Sequence, residues 1–143
     1  ISTLLEDEIT TYNLGNSRAY RFRDGVLLQL TKDQTKVQQL YDMGLISENQ
    51  IYSHPEKNII SGYVGCDGFD SKRIDVITHR ERFRRNDMLM LCSDGVSDYI
   101  NIDEIENALI MDGELSKKAD AIIDKIYSNG AGDNISLILV NKL

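Results

Sequence analysis

An α+β domain with mostly antiparallel strands is the fold class this sequence predicts, on three observations. The first is a hairpin. Ala19-Tyr20-Arg21-Phe22-Arg23, then Asp24-Gly25, then Val26-Leu27-Leu28-Gln29-Leu30 pair two alternating runs around a dipeptide suited to a type I′ turn. The second is a pair of continuous apolar runs, Met88 to Cys92 and Ile135 to Val140, which read as buried strands. The third is helical spacing: Leu115, Ala119, Ile122, Ile123 and Ile126 fall on one face, closed by Asn129-Gly130.

The remaining elements fill in around these. Ile1 to Leu5 and Ile9 to Leu14 flank the acidic turn Glu6-Asp7-Glu8 and read as an antiparallel pair. Val37, Leu40 and Tyr41 give a helical pattern from Asp33 to Met43, with Gly44 as its stop. Residues 46 to 70 carry the only proline, Pro55, among scattered Gly, Ser and Asn. They read as a connection holding a small helix. Ile74 to Ile77 is a short strand, and Asn101 with Glu104 three residues on forms a capping box for a helix through Met111. No repeat or linker divides the chain.

The bulk properties exclude several classes. With 143 residues the chain is long enough for one domain with its own core. Sixteen Lys and Arg against 23 Asp and Glu leave a net charge of −7, which argues against nucleic acid or an anionic membrane as partner. No run approaches the ~18 apolar residues of a membrane span, and no signal peptide opens the chain. Cys66 and Cys92 read as free thiols in a reducing, cytoplasmic setting. The chain begins at Ile1, without an initiator Met, in a run already strand-like, and is expected to be a piece of a longer protein.

Two aspartates stand where chemistry can gather. Asp94 directly follows one buried strand, within Ser93-Asp94-Gly95; Asp133 directly precedes another, within Gly132-Asp133-Asn134. Carboxylates at the mouths of neighbouring core strands can converge on a hard cation, which takes oxygen ligands. Asp beside Gly or Asn is equally a turn residue, and residue chemistry alone leaves both readings open. His54 and His79 lack partners at ligand spacing and read as surface or loop residues. Arg80, Arg82, Arg84 and Arg85, mixed with Glu81, read as a solvated strand end, with phosphopeptide contact the alternative. Cys92, in a buried strand without a paired base, is no candidate nucleophile.

Four blocks taken in order carry a resemblance. Gly15-Asn16-Ser17-Arg18-Ala19-Tyr20 is similar to the GDSRxY segment of metal-dependent serine/threonine protein phosphatases of the PPM type. Leu30-Thr31-Lys32-Asp33-Gln34-Thr35 resembles their LTxDHS segment, with Gln34 in place of His. Leu91 to Asp98, LCSDGVSD, resembles LCSDGLxD, and Gly132-Asp133-Asn134-Ile135-Ser136 resembles the GxxDNIT block. Each block alone is weak, but four in order over the whole chain are specific.

The resemblance implies a four-layer αββα sandwich, of which residues 1–143 would be the C-terminal portion of the phosphatase domain. It implies hydrolysis of phosphoserine or phosphothreonine in a protein substrate through metal-activated water, with Mn²⁺ or Mg²⁺ as cofactor. Asp94 and Asp133 become metal ligands by this route, with Gly95 and Asn134 beside the metal. The family's N-terminal blocks, an acidic pair and a DGHG segment, are absent here. The chain is therefore expected to hold part of the site, no catalytic residue of its own, and no activity alone. Asn16 replaces an Asp that helps bind a further, weaker cation in bacterial members, so that third site is expected to be weakened. The segment Asp42 to Asn58 matches the mobile flap in which substrate preference resides. Arg18 is expected to brace the hairpin. Exposed edges are expected to recruit the missing N-terminal half or a second copy. The rival reading is a non-catalytic PPM-like regulatory or binding module.

Overall fold

A computed structural model describes residues 1–64 and 76–142. Twelve elements follow in order: β1 (Ser2–Leu5), β2 (Glu8–Asn13), β3 (Arg18–Arg23), β4 (Val26–Gln29), α1 (Lys36–Asp42), α2 (Glu48–Ser53), β5 (Ile77–Arg82), β6 (Met88–Cys92), α3 (Asp94–Ser97), α4 (Ile102–Ile110), α5 (Leu115–Ser128) and β7 (Leu137–Asn141). They form two antiparallel sheets, one ordered β1-β2-β5 and the other β4-β3-β6-β7.

The local signals act as expected. Asp24 and Gly25 both take positive φ, 51° and 84°, and close β3 on β4 with Arg23 opposite Val26. Asn101 accepts from the Glu104 N–H at 2.9 Å while Glu104 accepts from the Asn101 N–H at 3.1 Å, so the capping box is complete. Tyr20, Phe22, Leu27, Met90 and Cys92 point from the four-stranded sheet to Ile105, Ala108 and Leu109 of α4 and Ile122 and Ile126 of α5. The opposite face of that sheet, through Ala19 and Leu89, meets Ile9 of the three-stranded sheet and Phe83 just after β5, with Leu30 completing the cluster. Period-2 alternation along β3 and β6 thus feeds two cores at once. Helices, sheet and sheet make three of the four expected layers; among the described residues no helix covers the outer face of the three-stranded sheet.

Three expectations shift. The first helix begins at Lys36, not Asp33, because the Asp33 carboxylate is held by Arg18 and Thr35 caps the helix by accepting from the Gln38 N–H at 3.2 Å. The Ile74-to-Ile77 strand is seen from Ile77; Ile74 and Asp75 lie outside the described residues, as does Cys66. The last apolar run is a sheet edge, not a buried strand: among the described residues β7 pairs with β6 alone, and Ile138 is 57% exposed. By contrast β2 and β6 each have a neighbour on both sides.

At the end of the sandwich where β6 begins, an ion pair between half-buried Arg23 and buried Asp87 closes the 83–88 turn. Asp87, 2% exposed, accepts from Arg23 Nε at 2.8 Å, from Arg23 Nη2 at 2.6 Å and from the Arg84 N–H at 2.5 Å. Burial alone would push the Asp87 carboxyl up, but these donors outweigh it and hold it below the usual range. Asp87→Ala removes the acceptor of the Arg84 N–H and of the Arg23 guanidinium, which keeps the Arg82 carbonyl, and is expected to cost about 1–3 kcal/mol in urea unfolding. Since the folded carboxyl titrates below its unfolded value of about 3.9, its stabilisation is complete above that pH. It is lost as the pH falls through the folded value, so acid-unfolding curves of the parent and of Asp87→Asn should converge at low pH.

Candidate metal centre

β6 and β7 are antiparallel neighbours with Cys92 opposite Leu137, so the residues after β6 and before β7 emerge at one end of the sheet. That register brings the Asp94 and Asp133 loops together, as their positions in sequence predict. Ser93 joins them: its N–H donates to the Ser136 carbonyl at 3.0 Å, and its Oγ accepts from the Ser136 N–H at 3.1 Å and donates to the Asn134 carbonyl at 3.3 Å. Gly95 is buried against the second loop. A Cβ there would overlap the Asn134 carbonyl oxygen and stand 3.0 Å from its carbonyl carbon and 3.6 Å from Asp133 Cβ.

Both carboxylates are held by short bonds. Asp94 Oδ1 accepts from the Gly95 N–H at 3.0 Å, and Asp94 Oδ2 accepts from Asn16 Nδ2 at 2.8 Å. Asp133, exposed at the mouth, accepts from the Asn134 N–H at 2.7 Å through Oδ1. Asn16 therefore presents its amide nitrogen to Asp94. A carboxylate only accepts, so the amide oxygen is turned away from it. Asp94 opens α3, whose single turn the sequence pattern missed because four residues show no periodicity.

Behind Asp94 lies a narrow cavity of about 90 Å³ lined by Asn16, Arg18, Asp33, Tyr52, Lys57 and Asp98, among others. Arg18 does more than brace its hairpin. It grips Asp33 through Nε at 2.9 Å and Nη2 at 2.7 Å, and donates through Nη1 to the Tyr20 hydroxyl at 3.1 Å. Burial pushes the Tyr20 hydroxyl up to about 12 and the Cys92 thiol up to about 12, so neither serves as a nucleophile or base at neutral pH. Lys57, in the segment after α2, pairs with Asp98 at 3.0 Å and ties that segment to the residue ending α3. Sequence reasoning missed this pair, since opposite charges forty-one positions apart carry no local signal.

His54 accepts from the Glu56 N–H at 3.1 Å, and His79 lies on β5 beside Glu81, so neither histidine belongs to this site. Arg80 pairs with Glu8 on the strand surface, as a solvated strand would. Among the described residues no group of three or more His, Cys, Asp and Glu side chains stands together as a cation site. Asp94 and Asp133 are suited to oxygen-ligated cations by donor type and shared position, and as a pair they leave most of a cation's coordination positions to other ligands. No helix among the described residues is long and apolar enough to cross a membrane.

No protein-family model matches the chain. It is 36% identical over 139 residues, 97% of its length, to the serine/threonine phosphatase stp of Listeria monocytogenes, of which it spans 54%. It superposes on the Streptococcus agalactiae serine/threonine phosphatase with a TM-score of 0.92 at 27% identity, covering 99% of this chain and 57% of that one. The catalytic domain of the phosphatase PstP, solved in complex with two manganese ions, matches with a TM-score of 0.82 at 28% identity, over 98% of this chain and 56% of that one. The chain spans 54% of the Listeria monocytogenes and Streptococcus pyogenes relatives and 24% of the Mycobacterium tuberculosis phosphatase PstP. By sequence and by fold alike, it is homologous to the C-terminal portion of the PPM-type serine/threonine phosphatases.

Proposed function

We propose that this chain is the C-terminal part of a Mn²⁺- or Mg²⁺-dependent protein serine/threonine phosphatase. In this reading it supplies Asp94 and Asp133 to a cation centre that the rest of the protein completes. One observation carries the reading: the two aspartates of the matched blocks emerge side by side from neighbouring strands, with the Gly95 and Asn134 main chains in contact. When bound, divalent cations supply positive charge to the phosphoryl oxygens and acidify water. The chain's own residues do the rest of the local work. Ser93 and Gly95 hold the two loops at fixed spacing, and Asn16 sets the Asp94 carboxylate. The segment Asp42 to Asn58, anchored by Lys57 to Asp98, borders the narrow cavity behind Asp94 and is the part of this chain that would meet a phosphorylated Ser/Thr protein.

The signalling role and the cytoplasmic location belong to the same proposal, and the free, buried Cys92 fits a reducing compartment. Intact Asp94 and Asp133 favour the enzyme over a regulatory module that has lost its ligands. On p-nitrophenyl phosphate with Mn²⁺, the 143-residue chain is expected to show no turnover above background, and the longer protein clear turnover. Turnover by the short chain, or none by the long one, would contradict the proposal.

In the same reading, the rest of the protein would cover surfaces that this chain leaves open. A cleft of about 380 Å³ with a mixed lining, Ile1, Leu14 and Ile138 among its apolar residues and Asn13, Arg18 and Ser136 among its polar ones, opens between the sheets, beside the edge of β7 that no strand covers among the described residues. Open edges and apolar clefts recruit partners. Light scattering at micromolar concentration is expected to show the isolated chain as a dimer, and a complex when the missing half is added in trans. A stable monomer with a two-state unfolding transition would favour a self-sufficient binding module instead.

A further inference from the structure

Two of the positions at which the sequence departs from the motifs it resembles, Asn16 and Gln34, meet in space at Gly15. Gln34 and Gly15 are bonded twice: the Gln34 N–H donates to the Gly15 carbonyl at 2.9 Å, and the Gly15 N–H donates to Gln34 Oε1 at 2.8 Å. Gly15 holds φ at +99°, a region that side chains disfavour, so this turn has one comfortable residue type. On its other side Gln34 is wedged in place. Its carbonyl accepts from the Ser61 N–H at 2.8 Å, and the missing side chain of Gly62 leaves its room, since a Cβ there would stand 2.8 Å from Gln34 Oε1. The residue after this fixed turn is Asn16, whose amide reaches Asp94 Oδ2 at 2.8 Å.

We infer that Gln34 is a positioning residue for Asp94, acting through the Gly15 turn and the Asn16 amide. The buried Gly15 N–H has Gln34 Oε1 as its acceptor, so the side chain that satisfies the turn also aims Asn16. With Oδ1 on the Gly95 N–H and Oδ2 on the Asn16 amide, the Asp94 carboxylate is held at both oxygens before any cation arrives. Supporting bonds of this kind orient a ligand and set its affinity. The inference rests on the reading of Asp94 as a cation ligand, and its test separates the two.

Two readouts are needed, both in the longer protein. The first is independent of metal: the Asn16 side-chain amide protons, followed by ¹⁵N-resolved NMR without divalent cation. Gln34→Ala is expected to move them towards the shifts and fast exchange of an exposed Asn, while Gln34→Glu, which keeps the acceptor oxygen, leaves them in place. Asn16 signals indifferent to Gln34→Ala would overturn the relay. The second is Mn²⁺ affinity by calorimetry, where Gln34→Ala is expected to weaken binding about 10-fold. Asn16→Ala should weaken it similarly, and the double variant no further than either alone, because both changes cut one chain of contacts. Multiplying effects would contradict the relay. If Gln34→Ala does not fold, Gln34→Met keeps the volume, drops the acceptor and carries the same test. Failure of the unsubstituted protein to bind Mn²⁺ would strike the metal reading, while the NMR readout would still decide the relay.

Discussion

Alanine at Asp94 or at Asp133 is expected to lower Mn²⁺-dependent phosphatase turnover in the longer protein by at least about 100-fold. Each change removes an oxygen donor from the proposed centre, to which this chain brings the two loops that carry these carboxylates. The folds of the variants should survive. Asp133 is exposed, and the part-buried Asp94 carboxylate gives up two hydrogen bonds, from the Asn16 amide and the Gly95 N–H. Circular dichroism spectra like the parent's, with activity gone, are the expected combination. Retention of more than a tenth of the activity in either variant would remove that residue from the cation centre.

Gly95→Ala should be as damaging by a different route. The added Cβ lands on the Asn134 main chain, which has no flexible side chain to swing aside. The Asp94 and Asp133 loops must then move apart, breaking the bonds through which Ser93 joins them. Overpacking of this kind costs about 1–3 kcal/mol. The larger consequence falls on the centre, because misplacing one ligand by about 1 Å is enough to lose on the order of 100-fold in rate. Activity should fall by that order while the melting temperature drops only modestly. Asn134→Ala is the control: it leaves the main chain in place and should cost far less.

Local features of the fold were legible because their physics is local. Asp24-Gly25 predicts its turn from φ requirements alone, and Asn101 with Glu104 predicts a helix start from two reciprocal hydrogen bonds. The meeting of the loops that carry Asp94 and Asp133 was legible one step further out: apolar runs before one and after the other predict strands, and antiparallel neighbours bring such ends together. Beyond that step the sequence was silent. Whether Ile135 to Val140 lay inside a sheet or at its edge depends on how many strands flank it, a matter of partners and not of composition. The Arg18–Asp33 grip and the Lys57–Asp98 pair join residues far apart in the chain, as does the contact between Gln34 and Gly15. Asn16 shows the limit most clearly. Its residue type suggests a weakened oxygen donor, yet the neighbouring carboxylate turns the amide so that nitrogen faces Asp94.

The most direct measurement of the central claim is the position of Mn²⁺ in crystals of the longer protein, read from anomalous scattering at the manganese edge. Asp94 and Asp133 are expected to contribute oxygens within about 2.5 Å of bound cations, with the remaining ligands drawn from outside residues 1–143. Cations bound elsewhere, with both carboxylates turned to solvent, would contradict the claim that this chain carries part of the metal centre.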